Sequence, residues 1–167
     1  DLATTSNRDK ALPWRRAVHI TRQICAALEA AHAQGVIHRD MKPENVFRVR
    51  RGDDPDFIKV LDFGIAKINA TVADGEIPVA TLETLTATNE LFGTIAYMAP
   101  ELIEGQAADV RSDIYALGIL MFRVLAGRLP FTSPNVYKVL QQHVSMPVPS
   151  LRALAPEVPA AVESVVF

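Results

Sequence analysis

Within "VIHRDMKPENVF", residues 36–47, a carboxylate (Asp40), an ammonium (Lys42) and an amide (Asn45) stand within five positions of one another. A further carboxylate, Asp62, stands in "LDFG", directly after a β-prone run. Oxygen donors such as Asn45 and Asp62 suit a hard divalent cation like Mg²⁺. Such an ion keeps several waters and binds phosphate oxygens through few protein groups. Asp40 is then spare for another task. Taken singly, Asp and Asn in a loop are most often turn formers, so the order of these residues carries more than any one of them.

The elements that must position these groups follow from periodicity. Between Pro13 and Gln34 the apolar side chains Ala17, Ile20, Ile24, Leu28 and Ala31 recur at spacings of three and four. This predicts an amphipathic helix with Pro13 at its entry and Gly35 just past its end. The runs Val46 to Val49 and Phe57 to Leu61 read as strands, and "RRGDDPD" between them has turn chemistry, so a hairpin with a solvated end is expected. "IYALGILMFRVL", residues 114–125, is apolar nearly all round and predicts a helix buried on every side, with Asp113 in its first turn. "TSPNVYKVLQQHV" predicts another helix with Ser133 as N-cap, and "VPAAVESVVF" begins a third. The Thr- and Ala-rich stretch from Ile68 to Leu91 lacks periodicity and reads as a mobile functional loop.

Bulk properties narrow the classes. The chain has 167 residues, enough for one core, and a formal net charge of −2 with 22% charged residues. That balance gives no basis for a nucleic-acid or membrane-binding surface. The single cysteine, Cys25, has no internal disulfide partner and reads as a small core side chain in a reducing compartment. No apolar run is long enough to span a bilayer and no signal-peptide order opens the chain, so a cytoplasmic setting is expected. Trp14, His19, His32 and His143 have no motif partners and read as packing or surface.

"HRDMKPEN", then "DFG", then "GTIAYMAPE", then "SDIYALG", in that order over residues 36–126, resemble the catalytic loop, metal loop, activation-segment end and central helix of the eukaryotic-type serine/threonine protein kinases. Arginine outnumbers lysine and "AALEAAHAQGVIHRD" has a bacterial cast. The resemblance implies an α+β protein kinase-like fold, seen here as a mainly helical C-terminal lobe with a small β-hairpin at the active site. It implies ATP and Mg²⁺ (or Mn²⁺) as cofactors, and protein substrates with Ser or Thr acceptors.

By that resemblance Asp40 is the base that orients the acceptor hydroxyl, Lys42 neutralises charge on the γ-phosphoryl group, and Asn45 and Asp62 hold the metal. Lys42, Glu44, Asn45, Phe47 and Asp62 form the nucleotide-binding set, Phe47 lying beneath the adenine where an aliphatic residue is usual. His38, Phe63, Gly64, Glu101 and Asp113 give structural support: His38 and Phe63 stack, and Asp113 accepts from the catalytic-loop backbone. Thr94 packs against Asp40 and Lys42 and, with Lys42, points to Ser/Thr acceptors. Arg39 directly precedes the base, as in kinases switched by phosphorylation of the activation loop. Thr88, and secondarily Thr86, match the autophosphorylation spacing of bacterial members. Thr71, Thr81 and Thr84 read as solvated loop residues.

A small-molecule phosphotransferase shares the His-x-Asp-x-x-x-x-Asn spacing but lacks an activation segment like "GTIAYMAPE". A pseudokinase scaffold is the competing class, and retention of Asp40, Asn45 and Asp62 speaks for an enzyme. The glycine-rich loop, strand lysine and partner glutamate of the family have no counterpart in residues 1–12, nor does the chain reach the arginine that pairs with Glu101. Residues 1–167 are therefore expected to be a partial kinase domain cut at both ends, its N-terminal lobe missing, and inactive alone. A larger parent, with a membrane anchor or sensor domain, stays open.

Overall fold

The structure is a computed structural model, and it describes residues 1–2, 11–63 and 93–166. Helix α1, Trp14–His32, buries Ala17, Ile20, Ile24 and Leu28, the stripe set by the apolar spacing. Pro13 precedes it, and its carbonyl accepts from the Arg16 and Ala17 N–H groups. Beyond its C-terminus Gly35 takes a φ of 71°, a left-handed conformation that glycine adopts without a Cβ penalty. The chain then turns into the polar loop. Cys25 corrects the sequence reading: it is exposed, because it lies about 100° around the helix from buried Ile24.

Strands β1, Val46–Arg51, and β2, Asp54–Val60, form an antiparallel hairpin with Val46 opposite Val60 and Val49 opposite Phe57. Register slips between Phe57 and Asp54, where β2 has one residue more than β1. Pro55, which has no N–H to give a ladder, sits in that bulge. The bulge turns Asp56 inward. Far from being a solvated end, Asp56 is 7% exposed and accepts from Arg16 Nε and Nη2 at 2.8 and 3.0 Å. Arg48 Nη1 lies 3.2 Å from the same carboxylate. Gln23 of α1 donates to the Asp56 carbonyl and accepts from the Ile58 N–H, both at 2.9 Å, as a neighbouring strand would. The hairpin is thereby fixed to α1.

Short helix α2, Pro100–Ile103, leads to the central helix α3, Val110–Ala126. Asp109 and Ser112 close a reciprocal capping box at its start, and Gly127 ends it at φ 70°. Phe122, Ile119, Leu120 and Leu125 are fully buried, whereas Ile114 is 53% exposed, so burial is not complete on every side. Helix α4, Val136–Ser145, starts at Asn135, whose side chain accepts from the Tyr137 N–H. Ser133 is not the cap; its hydroxyl accepts from the Asn135 N–H. Helix α5, Ala160–Val166, closes the described chain. One main core joins α1, the hairpin, Met41, α3 and Leu151, and a smaller cluster of Ile95, Val136 and Val139 ties residues 95–98 to α4.

Candidate active site

Asp113, 1% exposed, stands in the first turn of α3, where unpaired backbone N–H groups and the helix dipole favour a carboxylate. Its oxygens accept from the His38 and Arg39 N–H groups, each at 2.8 Å. Arg39 has a φ of +66°, a conformation costly for a side chain with a Cβ, and these two bonds hold it. His32 Nε2, at the end of α1, donates to the same carboxylate at 2.7 Å. No motif in the sequence marks a partner for His32. The 81 positions between His32 and Asp113 conceal a contact that only the folded chain makes.

His38 is wholly buried and bonds on both sides of its ring. Nδ1 accepts from the Asp40 N–H at 3.3 Å, so Nε2 carries the proton and donates to the Leu61 carbonyl at 3.0 Å. Its ring lies 4.7 Å from that of Phe63. One imidazole thus links Asp40 to the residues flanking Asp62, itself at φ 55°. The Leu61 N–H donates to the Asn45 carbonyl at 2.9 Å, joining the same two segments a second time.

Lys42 is extended, as the residue before Pro43 must be, and a single 3₁₀ turn, Pro43–Asn45, brings Asn45 back to Asp40. Asn45 Nδ2 donates to the Asp40 carbonyl at 2.8 Å and lies 3.2 Å from Oδ2. With its N–H₂ so engaged, its carbonyl oxygen is the end suited to a cation. Lys42 Nζ lies 3.1 Å from Asp40 Oδ2 and donates to Thr94 Oγ1 at 3.0 Å. Thr94 in turn donates to Asp40 Oδ1 at 3.2 Å. Carboxylate, ammonium and hydroxyl therefore close a triangle across 54 positions of sequence.

The other predicted residues are placed as follows. Phe47 sits on β1 opposite Lys59, Glu44 is exposed in the 3₁₀ turn, and Arg39 is exposed. Glu101 accepts from Ser112 Oγ at 2.6 Å, tying α2 to the capping box of α3. Gly64, Thr86 and Thr88, together with Thr71, Thr81 and Thr84, lie outside the described residues. Among the described residues no group of three or more His, Cys, Asp or Glu side chains is arranged to hold a metal. The Asn45 oxygen and the Asp62 carboxylate fit an ion that takes most of its ligands from phosphate and water. No described helix is long and apolar enough to cross a membrane.

Burial shapes the surroundings. Tyr97, three residues beyond Thr94, accepts from Arg123 Nη1. Burial pushes its phenol up to about 12 despite that guanidinium. Burial likewise raises Tyr115 to about 12, with the Glu101 charge adding to it. The Tyr115 hydroxyl and His143 Nδ1 share a hydrogen bond of 2.7 Å, and burial depresses the His143 imidazole to about 4.

Comparison with known proteins bears on the whole arrangement. The protein kinase domain family matches residues 1–163. The chain is 44% identical over 150 residues to the serine/threonine-protein kinase Pkn1 of Myxococcus xanthus, covering 90% of this chain and 20% of that protein. It is 40% identical over 162 residues to the probable serine/threonine-protein kinase PknB of Lactococcus lactis, covering 96% of this chain and 23% of the relative. Over 153 residues it is 36% identical to the serine/threonine-protein kinase PrkC of Bacillus subtilis, covering 92% and 21%. The chain thus spans only 20% to 30% of the length of the first curated relatives it matches.

Proposed function

Since the chain belongs to the protein kinase domain family, we propose that it supplies the catalytic-loop lobe of a serine/threonine protein kinase that moves the ATP γ-phosphoryl group to protein hydroxyls. The observation that carries this reading is the Asp40–Lys42–Thr94 triangle, with its contacts of 3.0 to 3.2 Å. Asp40 orients the acceptor hydroxyl and takes its proton as the oxygen bonds to phosphorus and the bond to ADP breaks. Lys42 offsets charge on the phosphoryl oxygens during that exchange. Asn45 and Asp62 are the protein ligands for Mg²⁺ (or Mn²⁺), which when bound neutralises the phosphates and aligns the leaving group. Most of the acceleration comes from positioning and electrostatics, which is why these groups share one braced loop.

The nucleotide-binding set of Lys42, Glu44, Asn45, Phe47 and Asp62 belongs to the same proposal, as does regulation through Arg39 by phosphate on Thr88 or Thr86. Phosphopeptide mapping of the active full-length protein tests the latter, and both threonines unmodified would refute it. We assign residues 1–167 to a partial domain that needs an upper lobe to grip ATP, so this fragment alone is expected to be inactive. The deciding experiment is transfer of labelled γ-phosphate to a generic protein substrate by the full-length protein. Transfer to Ser or Thr, abolished by Asp40→Asn, is expected. Mg²⁺–ATP binding with no transfer would overturn the enzyme reading in favour of a scaffold.

A further inference from the structure

Helix α3 reaches the transfer site at two places ten residues apart, Asp113 and Arg123. At 1.5 Å per residue these points are about 15 Å apart along a single stiff element. Asp113 secures the backbone of His38 and Arg39, and so the base. Resting on the kinase reading above, we propose that Arg123 is a positioning residue for the acceptor side. By donating to the Tyr97 hydroxyl it ties the Gly93–Ala99 segment, and with it the Thr94 hydroxyl, to the helix that anchors the catalytic loop.

Gly93–Ile95 are helical and Ala96 and Tyr97 form a turn, and the contacts this short segment makes decide where Thr94 lies. The Tyr97 N–H donates to the Thr94 carbonyl and the Met98 N–H to the Ile95 carbonyl, both at 3.1 Å, so Thr94 and Tyr97 share one turn. Ile95 packs with Val136 and Val139, which fixes the segment towards α4. Tyr97 fixes it towards the main core: 3% exposed, it belongs to that cluster and lines a small cavity together with Asp40, Thr94, Ser112 and Asp113. A phenol oxygen held this deeply needs a polar partner, and the guanidinium supplies one that stays charged at every relevant pH. The 3.2 Å contact between Thr94 and Asp40 is then set from both ends by α3: Asp113 holds the carboxylate's loop and Arg123 holds the hydroxyl's loop. Loosening the second hold leaves the base and metal ligands in place but lets Thr94 drift from Lys42 and Asp40.

The test uses Arg123→Met, which keeps the aliphatic stem, Tyr97→Phe, which removes one oxygen, and the double variant, all in the full-length protein. Each single variant is expected to lower kcat/KM for protein substrate about five- to thirty-fold, the double variant being no worse than either single. Mg²⁺–ATP affinity, read by thermal-shift titration, stays unchanged. Amide exchange of Tyr97 and Met98 quickens while that of His38 and Arg39 does not, and Arg123→Lys recovers part of the loss. Additive effects of the two substitutions, an equal loss of ATP affinity, or unchanged exchange at Tyr97 and Met98 would overturn the assignment. The exchange measurement needs no turnover, so it decides this inference even if the wild type transfers no phosphate, a result that would instead refute the kinase reading.

Discussion

At the scale of single residues, Asp40 and Asp113 are two carboxylates with opposite duties. Asp40 is reached by Lys42 and Thr94 and stays partly accessible, which suits the substrate-facing role proposed for it. Asp40→Asn preserves the size and the contacts of the loop while removing the proton acceptor. It should reduce phosphoryl transfer by about 10² to 10⁴-fold with Mg²⁺–ATP binding retained, a separation that single-turnover kinetics and a binding titration measure together. Asp113 is 1% exposed and holds the backbone of the loop. Asp113→Ala leaves the His38 and Arg39 N–H groups without an acceptor and releases the positive φ of Arg39, so a stability loss of about 3 kcal/mol or more is expected on denaturant titration. Sequence shows both aspartates because each stands in a short motif, but it does not show His32. That histidine reaches Asp113 from 81 positions away, and no local pattern marks a donor at the end of one helix whose acceptor begins another.

At the scale of elements, spacing predicts helices well wherever one face is buried, and it falters where a side chain sits one step off the stripe or a backbone irregularity turns it round. Cys25 follows Ile24 by one residue and so faces water; Asp56 looks like turn chemistry, yet the Pro55 bulge directs it under Arg16 and Arg48. The strands run further than their apolar residues indicate for the same reason: charged Arg50, Arg51 and Asp54 suggest a loop, whereas the ladder continues to Arg51 opposite Asp54. The junction of α1 with β2 is consequently a polar clamp. Gln23→Ala removes both bonds that splice α1 onto the strand edge and leaves the Asp56 carbonyl and Ile58 N–H without them. A loss of about 1–3 kcal/mol is expected in denaturant unfolding, whereas Gln23→Glu restores only the acceptor and recovers part of it.

Across the whole molecule, α3 holds the polar loop through Asp113 and meets α4 through Tyr115 and His143, and His143 reports how that packing responds to acid. Its ring lies between Tyr115 of α3 and Phe131, with centroids 5.8 and 5.0 Å away. Burial lowers its pKa from 6.5 to about 4, so the unfolded chain binds this proton more readily than the folded one. The stability this histidine contributes is therefore full above pH 6.5 and declines as pH falls from there towards about 4. The loss approaches about 2–3 kcal/mol once both states are protonated. Asp109 and Glu163, whose carboxyls are held below their ordinary values of 3.8 and 4.5 by bonds to Arg111 and to the Arg152 backbone, act mainly at the acid end of this window and below it. Urea midpoints measured between pH 7 and pH 5 should thus fall for the wild type. In His143→Gln the decline over that interval should largely vanish, whatever its absolute stability. An unchanged slope in the variant would assign the acid sensitivity elsewhere and remove His143 from the account.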